Sequence, residues 1–196
     1  MTALSAVARD TQSDESLMLD YAGGDIRAFE CLYLRHKGGL YRFFVRQLGD
    51  KQLAEDLYQE TWGRVIKAAA GYRVSAKFTT WLYRIAHNLL IDHVRAVKPL
   101  EQLQELELEP VCDANTPESA AQQQQQALAL KLCIGRLPTV QKEAFLLSSE
   151  MGLTAQAISE IAGVSLEACK SRIRYAYQSL RQCLNRRLQE SVDEIL

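Results

Sequence analysis

The segment from Lys77 to Arg95, KFTTWLYRIAHNLLIDHVR, places apolar residues at intervals of three or four positions, and this spacing constrains the fold most strongly. At about 100° per residue, such positions fall on one stripe of an α-helix. The stripe consists of Phe78, Leu82, Ile85, Ala86 and Leu89. The spacing therefore predicts an amphipathic helix that buries this stripe in a core.

A second row of side chains follows another face of the same predicted helix. It contains an aromatic ring, an amide, a carboxylate and two guanidinium groups: Trp81, Arg84, Asn88, Asp92 and Arg95. Guanidinium groups neutralise phosphates, an amide can pair with a base edge, and a flat ring can stack on an unpaired base. The row fits nucleic acid, although a solvated polar face with a partly buried tryptophan is the simpler interpretation of these residues alone.

Charge is segregated along the chain of 196 residues, which is long enough for one ordinary domain or two small ones. Residues 96–130 contain one lysine and six acids, whereas residues 165–187 contain six basic side chains against Glu167. Screening limits the reach of a charge to about 8–10 Å. The net charge of −1 therefore does not exclude a nucleic-acid partner.

The sequence contains no pattern typical of a metal site, a cofactor site or a membrane segment. His36, His87 and His93 lack metal-ligand spacing, and no apolar run approaches the roughly 18 residues of a membrane helix. Met1 to Asp10 has no signal-peptide core, so we expect a cytoplasmic protein without membrane insertion. The cysteines form no CxxC pair, and we expect free thiols rather than disulfides at Cys31, Cys112, Cys133, Cys169 and Cys183.

Glycines and capping residues divide the first part of the chain into predicted helices. A helix from Asp14 should break at Gly23-Gly24, with Asp25 capping the next one. That second helix should be interrupted at Lys37-Gly38-Gly39 and should end at Gly49.

A third helix is predicted from Leu53 to Ala69, after a cap at Asp50, with a core face of Leu53, Leu57 and Val65. Its surface brings together Asp56, Gln59 and Glu60. No nucleophile, histidine or metal ligand accompanies these carboxylates, which disfavours acid–base catalysis. A docking face for a basic partner or a plain solvated face fits better.

The loop from Tyr72 to Lys77 leads into the opening helix and carries an aromatic ring and two cations, Tyr72, Arg73 and Lys77. Beside Trp81 these side chains would form a pocket for a displaced base.

Prolines, an acidic run and a glutamine run change the character of the chain after Ala96 and predict a flexible acidic linker. We therefore expect an all-α protein with two small helical domains. The predicted boundaries are a first domain at 13–97, a linker at 98–126, a second domain at 127–187 and a tail at 188–196.

The second domain contains a helix-turn-helix pattern. Thr154 can cap a short helix, Gly163-Val164-Ser165 makes the turn, and a basic second helix begins near Leu166. On the outer face of that helix Arg174 could read guanine, while Lys170 and Arg172 flank the core stripe where groove phosphates would lie. A hairpin with an incidentally basic face is the less favoured alternative.

Four fragments, in this order, resemble the extracytoplasmic-function (ECF) sigma factors of bacterial RNA polymerase. They are GDIRAFECLYLRH, AEDLYQETWGRV, FTTWLYRIAHNLLIDHVR and the stretch from LPTVQKEAFLL to CKSRIR. The resemblance implies a transcription initiation factor without enzymatic activity or cofactors. Its expected partners are RNA polymerase core, promoter DNA and an anti-sigma factor.

The resemblance also implies a role for each group of residues. The polymerase core would be contacted by Asp56, Gln59 and Glu60. The melted minus-ten strand would be held by Tyr72, Arg73, Lys77, Thr80, Trp81, Arg84 and Asn88. The minus-thirty-five duplex would be read by Lys170, Ser171, Arg172 and Arg174. The chain departs from its relatives at Tyr175-Ala176-Tyr177, where an Arg-Ala-Arg run is common.

Two other functions compete with this interpretation. A stand-alone helix-turn-helix regulator would bind duplex DNA without polymerase, but it would leave the Asp56 face and the Trp81 row without a purpose. A helical enzyme would need a nucleophile–base pair, a phosphate loop or a metal cluster, and the sequence offers none of these patterns.

Overall fold

The computed structural model describes the backbone of residues 11–97 and 119–193 and the side chains of residues 11–96 and 126–187. All regular elements in these ranges are helical, which confirms the predicted all-α class. The first lobe contains α1 (Asp14–Ala22), α2 (Ile26–Leu48), α3 (Lys51–Ala68), a 3₁₀ turn (Ala69–Gly71) and α4 (Phe78–Val97). The second lobe contains α5 (Ser119–Gly135), α6 (Thr139–Ser149), α7 (Ala155–Ala162) and α8 (Leu166–Asp193).

Most predicted helix boundaries are confirmed, and the caps explain why. The side chains of Asp25, Asp50 and Thr154 each accept a hydrogen bond from the first turn of their helices. Gly49 and Gly163 end α2 and α7 with φ values of 79° and 62°, a left-handed conformation that disfavours side chains with a Cβ.

The predicted interruption of α2 at Lys37-Gly38-Gly39 is wrong, because the helix runs unbroken from Ile26 to Leu48. Gly39 instead allows a close approach between helices. A Cβ placed there would lie 3.2 Å from the sulfur of Met151 and 3.3 Å from the hydroxyl of Tyr83. The glycine therefore serves packing between the two lobes and not a turn.

Two further predictions need correction. On α3, Leu53 and Leu57 are only half-buried, and the core face is Ala54, Tyr58, Thr61, Trp62 and Val65. The linker predicted for 98–126 is shorter at its end, because α5 begins at Ser119. Alanine and glutamine have good helix propensity, which favours helix over the glutamine run. The acidic segment before Ser119 lies outside the described residues.

The two lobes pack against each other through α4 and α7, and through α2 and α6. Glu143 of α6 is only 3% exposed, and its Oε1 lies 2.6 Å from Nδ1 of His87 on α4. Nearby, Gln47 donates to the carbonyl of Thr139 at 3.1 Å, and Arg46 forms an ion pair with Glu150. Both lobes therefore contribute to one continuous core.

A disulfide joins Cys133 of α5 to Cys183 of α8, and the prediction of free thiols is wrong for this pair. The two cysteines lie 50 residues apart, so nothing in the local sequence marks them as partners. Cys31 and Cys169 are free, as predicted, and Cys112 lies outside the described residues.

The disulfide should stabilise the second lobe by lowering the conformational entropy of the unfolded chain. For a closed loop of this length, chain entropy predicts that Cys183→Ser lowers the free energy of unfolding by about 4 kcal/mol. Denaturant unfolding of the oxidised protein should show this loss, and a reductant should reproduce it in the wild type. Cys31→Ser, which removes a free thiol from the first lobe, is the control. Equal unfolding midpoints for Cys183→Ser and the oxidised wild type would contradict the cross-link.

Candidate nucleic-acid interface

Helix α4 is fixed at its start by a side chain from α1. Glu15 accepts a hydrogen bond from the backbone N–H of Phe78 at 2.7 Å, which caps the first turn of α4. Phe78 and Leu82 are fully buried, Ala86 and Leu89 are buried, and Ile85 is partly buried against the core, which confirms the predicted apolar stripe. The opposite polar row is therefore held in a defined orientation.

Trp81 is half-buried and stands beside an aromatic neighbour. Its ring centroid lies 5.0 Å from that of Tyr72, and the two planes are inclined at 66°. Tyr72 is itself 8% exposed, and burial raises the pKa of its hydroxyl, with the charges of Glu15 and Asp14 adding to the effect. Among the described residues this hydroxyl has no hydrogen-bond partner. Tyr72 thus supports Trp81 from behind.

A cavity of about 480 Å³ opens beside Trp81. It is lined by Lys67, Ala68, Gly71, Tyr72, Arg73, Ser75 and Trp81. Two cations and two aromatic rings line a space that can admit a flat ring with a phosphate attached. The structure thus brings Tyr72, Arg73 and Trp81 together, as the sequence predicted.

Lys67 is a member of this cavity that the sequence reasoning missed. Lys67 lies in the last turn of α3, shortly before the loop at Tyr72. This position in the sequence could have identified it as a neighbour of the cavity. Lys77 lies outside the cavity lining, although its side chain is exposed.

The remaining residues predicted for this surface divide by exposure. Arg84 and Asn88 are exposed on α4, in line with the predicted polar row. Thr80 is only 7% exposed, because it lies between the two faces of the helix and turns toward the core. Thr80 is therefore placed to support the surface from below.

The predicted docking face on α3 is exposed and acidic. Asp56, Gln59 and Glu60 all lie on the surface. Asp56 accepts a hydrogen bond from Gln52 at 3.4 Å, and Glu60 forms an ion pair with Arg64 at 3.0 Å. The Asp56 carboxylate makes no ion pair among the described side chains, so its charge is available to a cationic partner.

Helices α7 and α8 form the predicted helix-turn-helix. Ile158 and Ile161 of α7 are each 2% exposed, and Cys169 and Ala176 of α8 are fully buried. The Ser165 hydroxyl accepts from the N–H of Ala168 at 3.2 Å and caps α8. These contacts fix the angle at which α8 leaves the turn.

The first three turns of α8 carry the predicted duplex-reading side chains. Lys170 and Arg174 are exposed, whereas Ser171 and Arg172 are half-buried. Glu167 holds Lys170 in an ion pair at 2.9 Å. The guanidinium of Arg174 lies 5.0 Å from the centroid of the Tyr175 ring, a cation–π contact that the sequence reasoning missed.

No group of three or more histidine, cysteine, aspartate or glutamate side chains in the described parts of the chain is arranged to hold a metal ion. In the same parts of the chain, no helix is long and apolar enough to cross a membrane.

Comparison with known families matches both lobes. The family model for sigma-70 region 2 matches residues 32–98, and the model for sigma-70 region 4 matches residues 127–180. The ECF RNA polymerase sigma factor SigW of Bacillus subtilis (strain 168) is 30% identical over 170 residues, which cover 82% of this chain and 91% of SigW. SigK of Mycobacterium sp. (strain KMS) is 29% identical over 192 residues, 94% of this chain and 98% of SigK.

Two solved structures share the fold. CnrH, solved in complex with the cytosolic domain of CnrY, aligns with a TM-score of 0.65 at 23% identity over 89% of this chain and 98% of CnrH. The sigma factor RpoE, solved with the anti-sigma factor NepR from Bartonella quintana, aligns with a TM-score of 0.67 at 20% identity over 82% and 98%. With both regions matched in order and a relative such as SigW aligned over most of its length, the chain belongs to the ECF RNA polymerase sigma factors, which direct the polymerase to specific promoters.

Proposed function

We propose that this chain docks on RNA polymerase core through α3, captures a melted minus-ten base beside Trp81, and reads a minus-thirty-five duplex with the start of α8. The observation that carries the proposal is the cavity lined by Trp81, Arg73 and Lys67. A free-standing duplex reader has no use for such a cavity, since its bases stay stacked. A factor that opens DNA needs a place for an extruded base.

The minus-ten contacts divide into direct and supporting ones. Trp81 offers its ring to the extruded base, and Arg73, Lys77 and Arg84 neutralise the flanking phosphates. Asn88 is exposed one turn after Arg84 and can pair with a second base edge. Tyr72 and Thr80 are buried, so they do not contact DNA directly but support the position of Trp81. Unstacking one base costs a few kcal/mol, which stacking on one aromatic ring largely offsets.

Docking on the polymerase follows from charge on α3. The exposed Asp56 carboxylate attracts a basic surface, and Gln59 and Glu60 extend the same polar face. Glu60 already pairs with Arg64, so Asp56 carries the larger share of the attraction.

At the minus-thirty-five element, Lys170 and Arg172 hold phosphates while Arg174 reads a base. Tyr175 holds the Arg174 guanidinium over its ring and so limits the rotamers the arginine samples before binding. Ser171 adds a short donor on the same side of α8 as Arg174.

The lobes must separate for both elements to be read together. The two elements lie about 25 base pairs apart, which is roughly 85 Å at about 3.4 Å per base pair. In the structure α7, the helix before the recognition helix, packs directly on α4. Two packed helices with diameters of about 10 Å each cannot span that distance. We infer that the packed arrangement is the resting state and that polymerase binding opens it.

Three further properties belong to the same proposal. The chain acts in the cytoplasm, where the polymerase works, and it has no catalytic chemistry of its own. An anti-sigma factor regulates it, by analogy with the complex of its structural neighbour RpoE with the anti-sigma factor NepR. A stand-alone regulator, the competing function, would bind duplex DNA without polymerase.

Transcription with purified polymerase core on a library of promoter sequences tests the proposal. The wild-type chain should select a defined set of start sites. Asp56→Arg should abolish core binding and transcription with an unchanged circular dichroism spectrum, since a cation would face a basic surface. Glu30→Arg reverses an exposed carboxylate on α2 outside the proposed faces and is the matched control. Normal core binding by Asp56→Arg, or specific duplex binding that never requires core, would contradict the proposal.

Arg174→Ala should weaken binding by about 1–3 kcal/mol, and the loss should depend on the identity of a single base pair of the minus-thirty-five element. Transcription from promoters with every single substitution in that element measures the effect. The matched control is Arg181→Ala, which removes an exposed cation further along α8. An equal loss on all promoters would instead make Arg174 a phosphate contact.

A further inference from the structure

A second cavity, of about 370 Å³, lies between the end of α5 and the part of α8 that follows the reading residues. Its lining combines the disulfide with three arginines and two neutral polar side chains: Cys133, Arg136, Leu137, Ser179, Gln182, Cys183, Arg186 and Arg187. Among the side chains that the structure describes, no carboxylate belongs to this lining. The proposed contacts with DNA and polymerase use none of these residues.

Helical spacing places the cations beside the sulfurs. Arg136 lies in the turn directly after α5, three positions after Cys133, and Arg186 follows Cys183 by three positions on α8. Arg186 therefore lies on the same face of α8 as Cys183, and both arginines line the cavity together with the two cysteines. Arg136 and Arg186 are both exposed, and neither forms an ion pair with a described side chain.

The two cysteines both line the cavity and differ in exposure. Cys133 is 1% exposed and is part of the core. Cys183 is half-buried and packs at the edge of the core. Cys183 is therefore the more accessible of the two cysteines to a nucleophile in the cavity.

We propose that this cavity is a thiol–disulfide exchange site that selects small anionic thiols. The thiolate of the entering molecule attacks Sγ of Cys183, a new S–S bond forms, and the Cys133–Cys183 bond breaks with Cys133 leaving as a thiolate. A second molecule of the thiol then attacks the sulfur of the first one in the mixed disulfide, and Cys183 leaves as a thiolate. The products are one oxidised thiol dimer and two cysteines of the protein, so two electrons pass to the Cys133–Cys183 pair.

The arginines explain why the selected thiol is anionic. A concave site lined by charges of one sign concentrates counter-ions and raises association rates. The same cations stabilise the departing Cys133 thiolate, because a nearby guanidinium favours the charged form of a thiol. A carboxylate on the entering thiol gains from the first effect, whereas a neutral thiol gains only from the second.

Exchange at this site is chemically independent of promoter selection, and it can be measured without polymerase or DNA. The oxidised full-length chain is treated in parallel with 3-mercaptopropionate, 2-mercaptoethanol and cysteamine, which are anionic, neutral and cationic. Rapid alkylation and peptide mass spectrometry follow the appearance of Cys133 and Cys183 thiols. The same three reagents acting on 2-hydroxyethyl disulfide give the intrinsic ratio of their rates.

We expect the preference for 3-mercaptopropionate over 2-mercaptoethanol to exceed the reference ratio by about tenfold at low ionic strength, with cysteamine disfavoured. The excess should disappear in concentrated salt, where the Debye length falls to about 3 Å. Arg136→Gln and Arg186→Gln should each reduce it, and the double variant should abolish it. Arg181→Gln, which removes an exposed cation of α8 outside the cavity lining, should leave it unchanged.

Three results would overturn the proposal. One is a protein ratio equal to the reference ratio. Another is an equal loss of preference in the Arg181→Gln control and the cavity variants. The last is recovery of Cys133 and Cys183 as two separate thiols after mild oxidation. None of these results would affect the proposed selection of promoters.

Discussion

The packing of α4 against α7 is the contact on which the arrangement of the molecule depends. Helix α4 supplies core residues to its own lobe, the partly buried His87 to Glu143 on α6 of the second lobe, and the exposed row that we assign to DNA. Because Glu143 is 3% exposed, removing His87 would leave a carboxylate without its partner in an apolar interface. Such an unpaired buried charge costs several kcal/mol, so the pair specifies how the lobes fit together.

The contact between the lobes also sets the order in which we expect the polymerase-docking and DNA-reading surfaces to be used. The Asp56 face on α3 is exposed while the lobes are packed. In the function that we propose, this face meets the polymerase first, and the reading surfaces of α4 and α8 reach the promoter spacing only after the lobes part. Under that proposal, docking on core precedes opening, and specificity at both elements is available only on the polymerase. The proposed thiol site lies in the second lobe and modifies a cross-link within that lobe, away from this contact.

The sequence predicted local structure well and missed what depends on distant residues. Helix caps at Asp25, Asp50 and Thr154 and the stripe on α4 are local patterns, and the structure confirms them. Gly39 was predicted to break the helix, since glycine is a poor helix former. Its packing role could not be predicted from local sequence, because its neighbour Met151 lies 112 positions away in the chain. The Cys133–Cys183 disulfide likewise joins residues that no local pattern connects. At the candidate site the residue types were predicted, but the burial of Thr80 and Tyr72 and the participation of Lys67 required the packed helices.

A distance between the lobes, measured in the free chain and in the complex with polymerase core and promoter DNA, tests the central claim most directly. Labels at the exposed positions Arg27 and Arg181 report on the first and second lobes without touching the proposed faces. Pulsed electron paramagnetic resonance should give one short distance for the free chain. In the complex that distance should lengthen by tens of ångströms, as the roughly 85 Å between promoter elements requires. An unchanged distance in a transcriptionally active complex would contradict the account.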